Sequence, residues 1–332
     1  MRFQLHSLTL RAKMGRLQAK QLLAILAYVF SAVCLFWVFR GIDFHRFVQQ
    51  IQPLTPGNLC IAIAFSTAVY FLNSLRWLIL LRPLGRVSYW RAVQAVYIGL
   101  YLNEVLPLRP GELVRCYLLS RWSKLPLSNM IAAAAVERIL DGLCMMAGFF
   151  IVAFAIKLPR SLVSGATILA ACLIVISVIW IIHTSRRRVS QAHAPQVSGK
   201  AGAGFLDALA SMGNMRGTIE ALAVSCLALT SLILAMWFLM KGGGVNLSLA
   251  QGAAVFLIIR VGTVIPSAPG NIGSYQFFCV LAMGLFGIDK SAAAAFSLLL
   301  YSALTVPLLM GGTIAVVASG LKFRTLLTLN ES

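Results

Sequence analysis

The chain alternates between long apolar runs and short polar gaps rich in Lys and Arg. Six runs are long enough to cross a membrane as helices: roughly 20–39, 58–81, 130–156, 163–183, 219–240 and 291–319. About 20 residues at helical rise cover the ~30 Å of hydrocarbon in a bilayer. Two further regions, 91–122 and 250–287, are equally apolar but carry proline and glycine near their middles. Proline removes a backbone donor and crowds the preceding turn, so each region is read as two half-helices that enter the membrane and turn back. The first run follows a basic stretch, as the apolar part of a secretory leader does. Leu22–Phe39 continues straight into Arg40 without a small-residue cleavage site, which predicts a retained helix. The pattern therefore predicts an all-α integral membrane protein with about six full transmembrane helices and two Pro/Gly-broken re-entrant helical hairpins.

Composition agrees. Of 332 residues, 60% are hydrophobic and 11% charged, far from the balance of a soluble domain. Nine carboxylates face 28 Lys and Arg, a net charge of +19. The basic residues fall mainly between apolar runs, which reads as a topology signal and an affinity for anionic headgroups rather than for nucleic acid. With the N-terminus cytoplasmic and both hairpins re-entrant, the cytoplasmic segments carry 18 of them, the outer loops 6 and the apolar stretches 4. This bias places the chain in the cytoplasmic (inner) membrane with both termini cytoplasmic. The polar, basic stretch 184–217 reads as a cytoplasmic linker between an N-terminal half, 1–183, and a C-terminal half, 218–332. The seven cysteines are scattered without a CxxC pair and are expected to be buried, inert thiols.

The two interrupted regions are related. VLPLRPGEL (105–113) and VIPSAPGNI (264–272) share a V-aliphatic-P-x-x-P-G pattern at an offset of 159. AVYIGL from 95 aligns with AVFLII from 254 at the same offset, and Ala132–Ala135 answers Ala292–Ala295 after one added residue. Three predicted spans separate the copies, so they form an inverted repeat, an arrangement that many transporters use to build a site at the bilayer midplane.

Charge inside the apolar stretches is the candidate chemistry. Glu104, Glu112, Glu137 and Asp141 lie within 38 residues and share that region with Arg109, Arg115 and Arg138. Intramembrane charge costs at least about 2.5–3.5 kcal/mol per residue, so it is normally paired and interior. Glu137 and Asp141 share a helix face, and Arg138 lies three residues from Asp141, within pairing reach. One reading puts Arg109, Arg115 and Arg138 on a lipid phosphate, with the carboxylates orienting them and the half-helix starting near Gly111 adding free N–H groups. The other has the charges neutralise one another and lock the hairpin into the bundle. The second hairpin offers Arg260, Asn271, Ser274, Tyr275 and Gln276, which either line the same cavity or satisfy broken backbone. Arg76 is expected to snorkel to the membrane edge, and the aromatic residues to pack or to anchor at interfaces. No GxSxG, HExxH, P-loop or GxGxxG signature is present, the four histidines lack metal-ligand spacing, and no cofactor is expected.

N-x3-P-x-R-P-G-E-x2-R (Asn103, Pro107, Arg109, Pro110, Gly111, Glu112, Arg115) followed by E-R-x2-D (Glu137, Arg138, Asp141) resembles the lysylphosphatidylglycerol synthase transmembrane-region family, also called the UPF0104 or flippase-like-domain family. P-x2-P-G-N-I-G-x2-Q (Pro266, Pro269, Gly270, Asn271, Gly273, Gln276) is similar to that family's second motif, with Asn271 where a glycine and Gln276 where a glutamate is usual. The resemblance covers essentially the whole chain. It implies a membrane protein that handles lipids, in the best-known members by moving an aminoacylated phospholipid between leaflets. Those members add a cytosolic aminoacyltransferase domain. This chain ends at Ser332 after its last span, so lysyl transfer is expected to be absent.

The reading preferred on these grounds is translocation of an anionic phospholipid, glycolipid or polyprenyl-phosphate-linked lipid, with no catalytic step. One alternative is a non-catalytic partner of lipid-biosynthesis enzymes. Another is a membrane-embedded lipid-modifying transferase using Glu104 or Glu112 as base.

Overall fold

The computed structural model describes residues 2–42, 55–107, 109–156, 160, 163–168, 170–172, 174–179, 205–212, 214–265 and 267–320, with side chains from residue 21 onward. The part of the predicted linker at 184–204, the loop residues Arg46 and Lys157, and Pro266 lie outside them. Ten helices are labelled here. They are α1 (Arg2–Phe39), α2 (Pro56–Leu81), α3 (Tyr89–Val105), α4 (Gly111–Ser123), α5 (Leu127–Ala155), α6 (Phe205–Met212), α7 (Met215–Gly242), α8 (Leu249–Gly262), α9 (Ser274–Gly284) and α10 (Lys290–Ala318). No strand is found among the described residues.

Five helical segments are long and apolar enough to cross a membrane: Gln21–Phe39 of α1, and all of α2, α5, α7 and α10. They coincide with five of the six predicted spans. At the sixth, a shorter apolar helix covers Val163–Ile179, and the remainder of 163–183 lies outside the described residues. The interrupted regions resolve into the helix pairs α3/α4 and α8/α9. At 1.5 Å per residue the 17-residue α3 is about 26 Å long, and the 11 to 14 residues of α4, α8 and α9 give about 17–21 Å. None matches the hydrocarbon thickness of ~30 Å without help.

The chain forms two compact units. Unit one comprises Met1–Ile51, Asn103–Arg109 and Ile258–Tyr301; unit two comprises Gln52–Leu102, Pro110–Leu257 and Ser302–Ser332.

In unit two, α2 and α7 form the most extensive helix pair, and α5 packs on both. Their ends are tied where the Thr55 backbone N–H and hydroxyl both donate to the Gly242 carbonyl, at 3.2 and 3.3 Å. A core of Trp77, Leu81, Ala95, Leu119, Met130 and Leu140 joins these helices to α3 and α4. The chain folds back between α3 and α4, and Gly99 permits it. A Cβ there would lie 2.7 Å from the Gly111 carbonyl oxygen and 3.0 Å from the Arg115 Cβ. Lys124, in the left-handed region at φ 57°, ends α4, and Pro126 stands at the start of α5. One difference from the sequence reading concerns the linker. Its last part folds as α6, which buries Ala208 and Met212 in the same core against α5. An eight-residue amphipathic segment with two such residues is too short to register as a periodic helix but long enough to dock.

In unit one, α1 packs on α9. Trp37 meets Phe277 edge-on at 4.9 Å between centroids, and Lys290 donates to the carbonyls of Trp37 and Arg40 at 2.7 and 2.8 Å.

Candidate functional site

The structure gathers the charged residues into two clusters, one in each unit. In unit two, Glu137 of α5 is the hub. Its carboxylate accepts from Arg76 at 2.5 Å, from the Trp77 indole N–H at 2.8 Å and from Arg115 at 2.7 Å. Arg76 also pairs with Asp141, one turn further along α5, and donates to the Ser225 hydroxyl of α7 at 2.6 Å. The Arg115 guanidinium lies over the Trp77 ring, 4.5 Å from its centroid. At the rim, Glu112 stands 2.9 Å from Arg138 and 4.0 Å from Arg115.

The helical repeat explains why these groups converge. Glu137 and Asp141 lie four residues apart on one face of α5, which presents two carboxylates to α2. Arg76 and Trp77 are neighbours on α2, and Arg115 enters from α4 just above its first turn. The result is neutral, with three arginines and three carboxylates. Arg76 (1% exposed), Arg115 (4%) and Glu137 (1%) are removed from solvent. The pairing satisfies most but not all of their hydrogen-bonding groups, since Nε of Arg76 and Nε of Arg115 have no partner.

Arg76 is the correction here. It does not snorkel; it is buried and bonds to Glu137, Asp141 and Ser225. Arg138 and Asp141, within reach of each other along α5, instead bond elsewhere, to Glu112 and Arg76. The sequence signal for Arg76 was available: an arginine facing a helix that carries Glu-x3-Asp finds two acceptors in one stride. Nothing in the sequence said that α2 faces that stripe.

The second cluster occupies unit one, where the two helix breaks meet. The first break lies between Val105 and Gly111. Pro107 disfavours helical backbone before it, Arg109 adopts the left-handed region at φ 53°, and the helix restarts beyond Pro110. The second break is built differently. A 3₁₀ turn covers Pro269–Asn271, with Gly270, Asn271 and Gly273 at φ 66°, 56° and 93°. Ala268, the repeat partner of Arg109, has an ordinary φ of −54°. Asparagine tolerates the left-handed conformation far better than glutamate. The second copy therefore turns at Asn271, whereas the first continues into helix at Glu112.

Glu104, in the last turn of α3, receives the Tyr301 hydroxyl of α10 at 3.3 Å. Gly270 packs directly against this pair; a Cβ there would lie 2.7 Å from a Glu104 carboxylate oxygen and closer still to the Tyr301 hydroxyl. Tyr275 stacks edge-on against Tyr301 at 5.5 Å. Arg109 lies within electrostatic reach of Glu104, and Arg260 within reach of Tyr275. Both arginines are exposed, while Asn103, Glu104 and Asn271 are half-buried.

The amides and hydroxyls of the second break serve its backbone. Gln276 is buried and its side-chain oxygen accepts from the Gly273 N–H at 2.7 Å, capping α9. Ser267 donates to the Asn271 side chain at 2.9 Å, and Ser274 donates to the Asn271 carbonyl at 3.1 Å. Ser31 of α1 accepts from the Ala268 N–H at 2.8 Å. Gln276 supplies the same acceptor oxygen that a glutamate would. Of the residues singled out in the sequence, Glu112, Arg115, Glu137, Arg138 and Asp141 thus belong to unit two. Glu104, Arg109, Arg260, Pro269, Gly270, Asn271, Gly273 and Gln276 belong to unit one, together with Asn103. Tyr301 and Ser31 join the second group through contacts that no spacing rule foretold, and Tyr275, named with the second hairpin in the sequence, joins it against Tyr301.

Five long apolar helices, broken helix pairs and the absence of strands among the described residues define an all-α, multi-pass integral membrane protein. Residues 24–312 match the family described as Lysylphosphatidylglycerol synthase TM region, and the chain belongs to that family. It is also 22% identical, over 300 residues covering 84% of this chain and 88% of the relative, to a UPF0104 membrane protein of Methanocaldococcus jannaschii.

Proposed function

We propose that the protein moves a lipid between leaflets, with the headgroup contacting the tip cluster of unit one while the acyl or prenyl tails stay in the bilayer. The observation that carries this reading is the meeting of both helix breaks around Glu104. Irregular backbone at membrane depth persists where protein or a wet cavity satisfies it, and intramembrane ionisable groups by default mark a pathway. The family's name refers to a phospholipid synthase, which supports a phospholipid or related lipid as cargo. The unit-two cluster makes no headgroup contact in this reading, since its charges are already matched. The same reading places the protein in the cytoplasmic membrane, with termini on the basic, cytoplasmic side, and includes no covalent step.

The test is reconstitution into liposomes holding a labelled anionic phospholipid or a polyprenyl phosphate. Leaflet exchange is followed by quenching of the outer label. Protein-dependent exchange is expected, reduced by Arg109→Gln. Folded protein that exchanges no anionic lipid overturns the reading.

A further inference from the structure

We propose that unit two carries a binding site for an anionic phospholipid, with the phosphate between Arg82 and Arg216 and an acyl chain along one stripe of α7. The residues involved all belong to unit two, and the site stands whether or not unit one moves a lipid.

Where α2 ends and α7 begins, a cleft of about 350 Å³ opens. Leu80 and Met212, both buried, are part of its apolar lining, and Arg82, Asn214, Arg216 and Glu220 supply its polar lining. Both α2 and α7 are long and apolar enough to cross a membrane, which sets these two helix ends at the level of the headgroups. In the cleft two arginines share one carboxylate. Arg82 donates to one Glu220 oxygen at 3.3 Å, and Arg216 donates to the other at 3.0 Å. Among the described residues each guanidinium has this single partner, and their side chains are 69% and 87% exposed. Ion pairs this open contribute little and exchange readily. A guanidinium engaged through one nitrogen keeps most of its fork of donors, which suits phosphate oxygens. Held on either side of Glu220, the two forks are in reach of one phosphate that bridges them.

The surface next to the cleft indicates that this phosphate carries a chain. Met215, Ile219, Ala223 and Leu227, spaced four apart on α7, are all exposed. Arg216 and Glu220, also four apart, form the neighbouring stripe of the same helix. An anion-binding end that runs into an exposed apolar stripe matches an amphiphile whose charge and chain are joined. A free phosphate would use only the first half of it. Arginines at this level also gain from the negative potential of an anionic leaflet.

The test uses the full chain in phosphatidylcholine nanodiscs, with a phosphatidylglycerol that carries a diazirine in one acyl chain. After photolysis, mass spectrometry of peptides maps the adducts. They are expected within 215–227, to fall with excess unlabelled phosphatidylglycerol, and to persist with excess phosphatidylcholine or inorganic phosphate. Arg82→Gln/Arg216→Gln is expected to weaken binding about thirtyfold, the effect of two surface arginines together. Arg86→Gln removes an exposed arginine that is not among the described residues lining the cleft, and is expected to leave binding unchanged. Glu220→Gln releases both guanidinium groups and is expected to tighten binding about fivefold. The site is overturned by the absence of a phosphatidylglycerol-specific adduct on this stripe, or by an unchanged adduct in the folded double variant. An equal loss in Arg86→Gln reveals general surface charge and also overturns it. Displacement by inorganic phosphate alone assigns the cleft to a free anion instead of a lipid. Weaker binding in Glu220→Gln, which keeps both arginines, overturns the site even where the double variant fails to fold.

Discussion

Replacing Glu137 by glutamine should test the unit-two network at its centre. The carboxylate serves two buried guanidinium groups and one indole N–H. Arg76 keeps Asp141 and Ser225 after the change, so its loss is partial. Arg115 is left only Glu112, at 4.0 Å, together with the Trp77 ring. Breaking a buried pair while leaving the other charge in place costs about 3–5 kcal/mol. Because Arg76 retains partners, the total should stay near one such pair, about 4 kcal/mol, which is about a thousandfold in the unfolding equilibrium. The assay is reversible unfolding by steric trapping in bicelles. The double variant Glu137→Gln/Arg115→Met removes the stranded charge as well, and should recover about 2 kcal/mol relative to Glu137→Gln alone. A cost below about 1 kcal/mol for Glu137→Gln, or no recovery in the double variant, would refute the assignment of Glu137 as the shared counter-ion.

Gly99→Ala should destabilise by about 1–3 kcal/mol, because its Cβ meets backbone that cannot yield, the Gly111 carbonyl; thermal unfolding in detergent measures it. Gln276→Leu should cost about 1–2 kcal/mol by stranding the buried Gly273 N–H. Gln276→Glu keeps the acceptor and should lose less, and equal losses in the two variants would show that the cap is not what matters. Cys144 of α5 and Cys226 of α7 lie 3.3 Å apart at sulfur. Copper phenanthroline oxidation should join them, seen by mass spectrometry as a loss of two hydrogens that Cys226→Ser abolishes.

Spans were the most legible part of the fold, because ~20 apolar residues in a row have few other fates. The breaks at Pro107 and Pro269 were legible too, since proline and glycine act locally. Facing relationships were not. Arg76 and Glu137 are 61 residues apart, and Glu104 and Tyr301 are 197 apart. Helix periodicity reports which residues share a stripe, not which stripe it meets. That is why the acidic stripe of α5 was recognised and its principal cation, Arg76, was assigned to the membrane edge. Tyr301 was similarly hidden, as a tyrosine in a long apolar helix reads as packing. The repeat misled in one respect: equal motifs do not impose equal backbone, and one substitution, Asn271 for Glu112, moved the turn.

The contact between Ser31 and the second break bears on how the chain is assembled. Ser31 accepts from the Ala268 N–H, and its own carbonyl presses on Gly273 so closely that no side chain fits. These partners are separated by 237 residues. During synthesis α1 is in the bilayer long before the segment it must receive has left the ribosome, and that segment arrives with a backbone no lipid can hydrate. Insertion of the last quarter is thus a docking step onto the first helix. Lesions at Ser31 or Gly273 should show themselves in biogenesis, as chains held at the insertion machinery or degraded, before they show in any finished protein.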